Sequence, residues 1–425
     1  MFSAGTMSML GERIGWPDLV PRWCTGRMAT TSETPRVDDG DATDRATDRA
    51  ADRGTAPASA TASASAADGA GAPGARAGLA RLCDRVSPPR LPTLAHPDVA
   101  TWRPVELTDV DVVTALQKAM DAVDHPDWTT PREDVEDELD APHVTLTRDS
   151  VLAVGHDGEA LAWGLIELMP GRETRVQAYA NGGVHPRARG RGIGRVLLAW
   201  LTARGVQQIA TCEEALPAWV RSGADERNRG GMALHERLGF VPERYFTTME
   251  RDLVGAAGES GEALAVVEPP VPDGVRLVPY SADRAQDALD ARNDAFRDHW
   301  GSQPRTPQEW ATFVGGELFR EDLSWLAVDE ADVVLGFALV SANPEDWELQ
   351  GYTSSYLGVL GVVRAGRRRG IAPALLARYL RATRDAGLDR AVLDVDTANP
   401  SGALGLYERA GFVATNRSVE YVLEV

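Results

Sequence analysis

A strand-like run that breaks into a turn of arginines and glycines, then resumes as an amphipathic helix, occurs twice in this chain. The first copy reads Val184-His185-Pro186-Arg187-Ala188-Arg189-Gly190-Arg191-Gly192-Ile193-Gly194-Arg195 and the second Val362-Val363-Arg364-Ala365-Gly366-Arg367-Arg368-Arg369-Gly370-Ile371-Ala372. Glycines in such a turn let backbone N–H groups approach a ligand closely. The helix that follows adds N–H groups with no internal acceptor and the positive end of its dipole. The layout is that of an anion site, and phosphate is the guest it suits. Each copy is followed by a short helix ending in Gly-Phe, Leu234-His235-Glu236-Arg237-Leu238-Gly239-Phe240 and Leu406-Tyr407-Glu408-Arg409-Ala410-Gly411-Phe412. The chain therefore reads as a tandem duplication.

The rest of the composition sets these arginines apart. A formal charge of −19 and a pI near 4.9 argue against a nucleic-acid binder or a polybasic membrane anchor, which both need a positive field to collect phosphates. The basic clusters at 187–195 and 364–369 are local exceptions to that acidity. Cys24, Cys83 and Cys212 are too few and scattered for a disulfide framework or a metal knuckle. The histidines His96, His125, His143 and His156 show no ligand spacing, so no metal is expected. No apolar run is long enough to span a bilayer, and Met1 to Met28 lacks the basic start and apolar core of a secretory signal. A cytoplasmic protein is expected. Lys118 is its one lysine.

Taken in order, residues 1–95 read as a disordered, low-complexity extension, because Ala-Thr-Asp-Arg repeats and Ala/Ser/Gly/Pro runs bury too little apolar surface to offset ordering entropy. A first unit is expected over 96–253, a Gly/Ala/Glu/Pro linker over 254–273 and a second unit over 274–425. In the first, helical spacing covers Val110 to Val123 and Pro131 to Leu139. Asp157-Gly158 marks a hairpin between Val151–Val154 and Leu161–Ile166. Ile193, Val196, Leu197, Trp200 and Leu201 form an apolar helical stripe that Gly205 is expected to close, and Tyr245 to Leu253 is expected to close the unit. The second unit repeats this order: a helix over Asp283 to Phe296, a hairpin around Glu330-Ala331, a helix with Ile371, Leu375, Leu376 and Tyr379 on one face, and a last strand from Ser418 to Val425. Order β-α-α-β-β-β-α-β-α-β is an α+β fold, a mixed sheet with helices on both faces.

Strand, Arg-x-x-Gly-x-Gly/Ala, helix, strand, then Asn…Leu-Tyr-Glu-x-x-Gly-Phe resembles the GNAT acyl-CoA-dependent N-acetyltransferases, and the resemblance runs twice over residues 99 to 425. The tandem layout is similar to that of actinobacterial tandem acetyltransferases. Neither a Rossmann nor a Walker reading fits: the spacing of Gly190, Gly192 and Gly194 is not the dinucleotide fingerprint, and no Gly-Lys-Ser/Thr follows.

The resemblance implies acetyl-CoA as cosubstrate, its pyrophosphate held by Arg189, Gly190, Arg191, Gly192, Ile193 and Gly194 in one copy and Arg367, Arg368, Arg369, Gly370, Ile371 and Ala372 in the other. It places a backbone N–H near Val362, and near Val184 in the first copy, where it would polarise the thioester carbonyl. Tyr407 sits where the family has the acid that protonates the departing thiolate; the first copy has His235 there. Asp394, on the strand before Asn399, is the candidate base, with Asp396 on the same strand face as its competitor, while Asn399 would order the loop or simply form an Asn-Pro turn. His185 reads as positional, and His299-Trp300 as an aromatic helix end that could line an acceptor pocket. The expected activity is transfer of acetyl to a primary amine of a small molecule, with chemistry in the second unit. A non-catalytic acyl-CoA sensor and a protein N-acetyltransferase are the alternatives.

Overall fold

Near-continuous apolar runs build central strands such as 160–168 and 334–341, buried on both faces, and the strands join into one sheet. The structure, a computed structural model, describes residues 78–254, 265–297, 302, 304–397 and 402–425. The strands are β1 (Val99–Arg103), β2 (Ser150–Gly155), β3 (Ala160–Leu168), β4 (Val176–Val184), β5 (Ala218–Asp225), β6 (Val241–Asp252), β7 (Arg276–Pro279), β8 (Trp325–Val328), β9 (Val334–Ser341), β10 (Ser354–Val362), β11 (Arg390–Asp396) and β12 (Val413–Glu424). Their spatial order is β1-β2-β3-β4-β5-β12-β6-β11-β10-β9-β8-β7. Two pairs are parallel, β4 with β5 and β10 with β11; the others are antiparallel.

Helices cover both faces of each half, as the α+β reading expects. In the first half, helix Ile193–Ile209 packs Ile193, Leu197, Leu198, Trp200 and Leu201 on one face, and Val113, Leu116 and Met120 of helix Val110–Asp124 pack with Trp163 and Leu165 on the other. In the second half, helix Ile371–Asp385 buries Ile371, Leu375, Leu376 and Tyr379 against the sheet, while helices Ala285–Ala295 and Pro307–Gly315 pack into the same core.

Three expectations are corrected. Helix Ile193–Ile209 does not stop at Gly205, where a Cβ would come within 3.0 Å of Ile166 Cδ1; the glycine lets helix and sheet approach closely instead of capping. The stretch 80–95, expected to belong to a disordered extension, packs on the first half: Leu82 is fully buried, and Val86, Leu91 and Leu94 lie against the same core. Residues 1–77 of that expected extension, residues 255–264 of the expected linker, Asn399 and His299-Trp300 lie outside the described residues.

The third correction decides the architecture. Tyr245 to Leu253 was expected to close the first unit, yet β6 pairs with β11 of the second half from Phe246↔Asp396 to Asp252↔Arg390. Reciprocally, β12 pairs with β5 of the first half from Ser418↔Asp225 to Glu424↔Trp219. The closing strands have changed places, and they pair with each other along their length. Burial explains why this register holds. Val419 and Tyr421 of β12 are fully buried in the first half's core, and Met249 of β6 lies in the second's. The exchange is also ionic: Arg221 of β5 donates to Glu420 of β12 at 2.7 Å with both groups buried.

Because Tyr421 fills the core of the half to which it does not belong in sequence, Tyr421→Ala is expected to cost about 3–5 kcal/mol and to lower one shared unfolding transition. Differential scanning calorimetry checks this, and two separate transitions with only one displaced would contradict it.

Candidate active site

The two parallel pairs open into clefts of the same plan. Pairing of β4 with β5 ends at Tyr179↔Arg221, and pairing of β10 with β11 ends at Tyr356↔Val392; beyond these points the two strands of each pair part, β4 and β10 running on toward the arginine loops. The clefts are filled differently.

In the first, Ser222 Oγ lies 3.0 Å from the Ala180 carbonyl, a side chain crossing the gap between the strands. The same hydroxyl lies 2.9 Å from His235 Nε2, and His235 Nδ1 lies 2.8 Å from the Gly231 carbonyl. That carbonyl can only accept, so Nδ1 carries the proton and Nε2 of the neutral ring is an acceptor beside the Ser222 hydroxyl, whose one proton is shared between Nε2 and the Ala180 carbonyl. Burial pushes the His235 pKa down to about 4, and the ring stacks on Tyr421 at 4.8 Å between centroids. At neutral pH the imidazole has no spare proton. The β3–β4 register is continuous through this region.

In the second cleft β10 carries a bulge: Leu357 pairs with Val340 and Val359 with Leu339, so Gly358 has no partner in the ladder. Tyr356, just before the bulge, donates its hydroxyl to Asp394 Oδ2 at 2.9 Å. Thr248 of the exchanged strand β6 donates to Asp394 Oδ1 at 2.6 Å. Burial holds the Asp394 carboxyl above the usual carboxylate range, opposed by the Thr248 and Tyr356 hydrogen bonds. Tyr407 is buried on helix Ala403–Arg409 with its ring edge-on to Phe412 at 5.9 Å, and burial raises its phenol above the ordinary value. Tyr407 lies close enough to disfavour ionisation of Tyr356, the residue that holds Asp394.

Asp396, the competing carboxylate, is taken up elsewhere. It is almost fully buried, with Arg244 Nε 3.7 Å away. Tyr356, Thr248 and the bulge at Gly358 are parts of the site that the sequence reading did not name. Tyr356 has no motif of its own, Thr248 is on a strand assigned to the other half, and a bulge has no residue signature.

The loops also repay comparison. Arg189 Nε donates to the Val184 carbonyl at 3.0 Å and Arg367 Nε to the Val362 carbonyl at 3.4 Å. The first arginine of each motif thus folds back and ties the loop to its strand. In the first loop Arg189 is further engaged by both oxygens of Asp124 at 2.6 and 2.8 Å, Arg187 faces Asp157 at 3.6 Å, and Arg191 faces Asp98 at 3.5 Å. In the second, Arg369 meets the Asp273 carbonyl and Arg367 also donates to the Ala295 carbonyl. Gly192 and Gly370 adopt left-handed φ of 105° and 91° at the helix starts, and Arg368 shares that region at 62° where the first loop has Gly190 at 76°. Ile371 and Ala372 then present first-turn N–H groups without intrahelical acceptors, while Pro373 has none to present. His185 accepts from the Arg187 N–H at 3.2 Å, a capping role. Among the described residues no group of three His, Cys, Asp or Glu side chains could hold a metal ion, and no helix is long and apolar enough to cross a membrane.

Comparison with known proteins follows the same division. The Acetyltransferase (GNAT) family model matches residues 117–240 and 285–412. The mycothiol acetyltransferase of Salinispora tropica is 33% identical over 252 residues, 56% of this chain and 71% of its own length. That of Stackebrandtia nassauensis is 29% identical over 300 residues, covering 65% and 88%. Among solved structures, a GCN5-related N-acetyltransferase from Sphaerobacter thermophilus matches with a TM-score of 0.57 at 25% identity, covering 76% of this chain and 95% of its own. A tandem GNAT protein from the clavulanic acid biosynthesis pathway has a TM-score of 0.56 at 18% identity, covering 76% and 98%, a likeness of fold alone.

A non-glycine residue in left-handed conformation is strained, and the loop tolerates it at Arg368. Arg368→Gly is expected to raise unfolding stability by about 0.5–1 kcal/mol, the strain relieved less glycine's greater freedom when unfolded. Denaturant unfolding checks this; a loss of stability would mean that the arginine side chain, not the backbone, decides the loop's conformation.

Proposed function

The chain belongs to the GNAT acetyltransferase family and is an acyltransferase, and from that premise we propose that it transfers acetyl from acetyl-CoA to a primary amine of a small molecule, with the chemistry in the second half. The observation that carries the reading is the contrast between the clefts: Tyr356 holds the Asp394 carboxylate where β10 and β11 part, with Tyr407 in the neighbourhood of Tyr356, whereas Ser222 and a neutral His235 fill the first gap. The halves 96–253 and 274–425 then have separate duties, the first supporting the second. The similarity to mycothiol acetyltransferases favours a small amine over a protein acceptor. The acidic charge and three cysteines support a cytoplasmic enzyme without nucleic-acid or membrane partners.

The residues present suit acyl-CoA. The left-handed turn at Arg368 and Gly370, the free N–H groups of Ile371 and Ala372 and the surrounding guanidiniums complement a pyrophosphate. We assign the polarising backbone donor to the bulge at Gly358, because Val362 lies in paired strand and lends its carbonyl to Arg367. Asp394 removes the ammonium proton; its carboxylate already accepts one hydrogen bond on each oxygen and keeps a lone pair for a third. The amine nitrogen then bonds to the thioester carbon, the carbon–sulfur bond breaks, the thiolate takes the phenolic proton of Tyr407, and the phenolate so left takes the surplus proton of the new amide nitrogen. Burial keeps that phenol protonated at neutral pH, so it has a proton to donate.

With a panel of small primary amines as acceptors, Tyr407→Phe is expected to lower kcat by about 10²-fold with little change in KM, and His235→Ala to leave kcat within a few-fold of wild type. Unchanged turnover in Tyr407→Phe together with its loss in His235→Ala would reverse the assignment of halves.

A further inference from the structure

The base of the second half is held by a residue from the first. Thr248 belongs to β6, the strand that leaves the first half to pair with β11, and in that pairing it stands directly opposite Asp394. Its hydroxyl reaches Asp394 Oδ1 at 2.6 Å while Tyr356 takes Oδ2 at 2.9 Å, so the carboxylate is fixed from both sides, by one strand of each half. The counterpart in the first cleft is Glu420 of β12, which stands opposite Gly223 and accepts from Arg221 at 2.7 Å. Each cleft thus receives one polar side chain from a strand that the other half contributes.

We propose that Thr248 is a positioning residue for acetyl transfer: its hydroxyl fixes the orientation of the Asp394 carboxylate and stabilises its charged form, making the second site a composite of both halves. The proposal rests on the reading of Asp394 as base. The other charged groups along these strands are matched elsewhere. Glu250, opposite Val392, meets Arg390 at 2.9 Å and the Tyr352 hydroxyl at 3.2 Å, and Asp396 faces Arg244. From β10 the phenol of Tyr356 reaches the carboxylate, and the phenols of Tyr407 and Tyr379 lie near Tyr356, all three held protonated by burial. Thr248 is the nearest donor besides Tyr356, and its removal has a defined sign. A hydrogen bond to the charged carboxylate lowers the pKa; deleting it lets burial drive that pKa higher and moves the acid limb of the rate profile toward neutrality.

The test is the pH profile of kcat/KM for the full chain with acetyl-CoA and a small primary amine, in wild type, Thr248→Val, Thr248→Ser and Asp394→Asn. Thr248→Val keeps the side chain's shape, and its melting temperature is recorded alongside. The expected result is an acid limb displaced upward by about one pH unit and a roughly tenfold loss of kcat in Thr248→Val, with KM for acetyl-CoA unchanged and both effects reversed in Thr248→Ser. An unmoved acid limb in Thr248→Val, with Asp394→Asn inactive, overturns the proposal and leaves the base in place. Equal behaviour of Thr248→Ser and Thr248→Val also overturns it, since the methyl and not the hydroxyl would then matter. Full turnover in Asp394→Asn overturns it together with the assignment of the base on which it rests.

Discussion

The antiparallel pairing of β6 with β12 is the interaction on which the rest of this molecule depends. Without it each half would end on its own closing strand and the two sheets would be separate objects. With it, the twelve strands of the described residues form one sheet, and each half's core is completed by side chains from the other, Tyr421 and Val419 in one direction and Met249 in the other. Packing holds the arrangement, since the apolar side chains of each exchanged strand are buried in the core it joins. The buried Arg221–Glu420 pair adds specificity to the register, since a shift would leave one charge buried alone, a far larger penalty than the pair's own net contribution.

The same pairing explains how two copies of one plan come to differ chemically. Both clefts have a tyrosine at the last paired position, Tyr179 and Tyr356, and both receive a polar side chain from the exchanged strand. In the first, Arg221 lies under Tyr179 and is matched by Glu420, and Ser222 spans the gap. In the second, β10 bulges at Gly358 and a carboxylate is held by two hydroxyls. The loop arginines follow suit: those of the first copy face Asp124, Asp157 and Asp98, which offsets the positive field a phosphate would otherwise feel.

Much of this was legible in the chain itself. The hairpin around Asp157-Gly158, the amphipathic helix over Ile371 to Tyr379 and the repeated loop are local signals, and local signals survive folding with little change. Helix Pro307–Gly315 escaped the sequence reading although Thr306-Pro307-Gln308-Glu309 spells its capping box, with Thr306 and Glu309 bonded reciprocally. The strand exchange was not legible at all. Strand patterning shows that a segment is half-buried but not which neighbour it meets, so Tyr245 to Leu253 reads the same whether it closes its own half or the other. Thr248 was hidden for that reason.

The central claim is that the second half carries the chemistry while the first supports it through the exchanged strands. Single-turnover acetyl transfer from acetyl-CoA to a small primary amine tests it most directly, in Gly192→Glu and in Gly370→Glu, each placing a carboxylate at a loop's left-handed glycine. The account predicts transfer abolished by Gly370→Glu and retained by Gly192→Glu, with both variants folded. Loss of transfer in Gly192→Glu with activity intact in Gly370→Glu would contradict it.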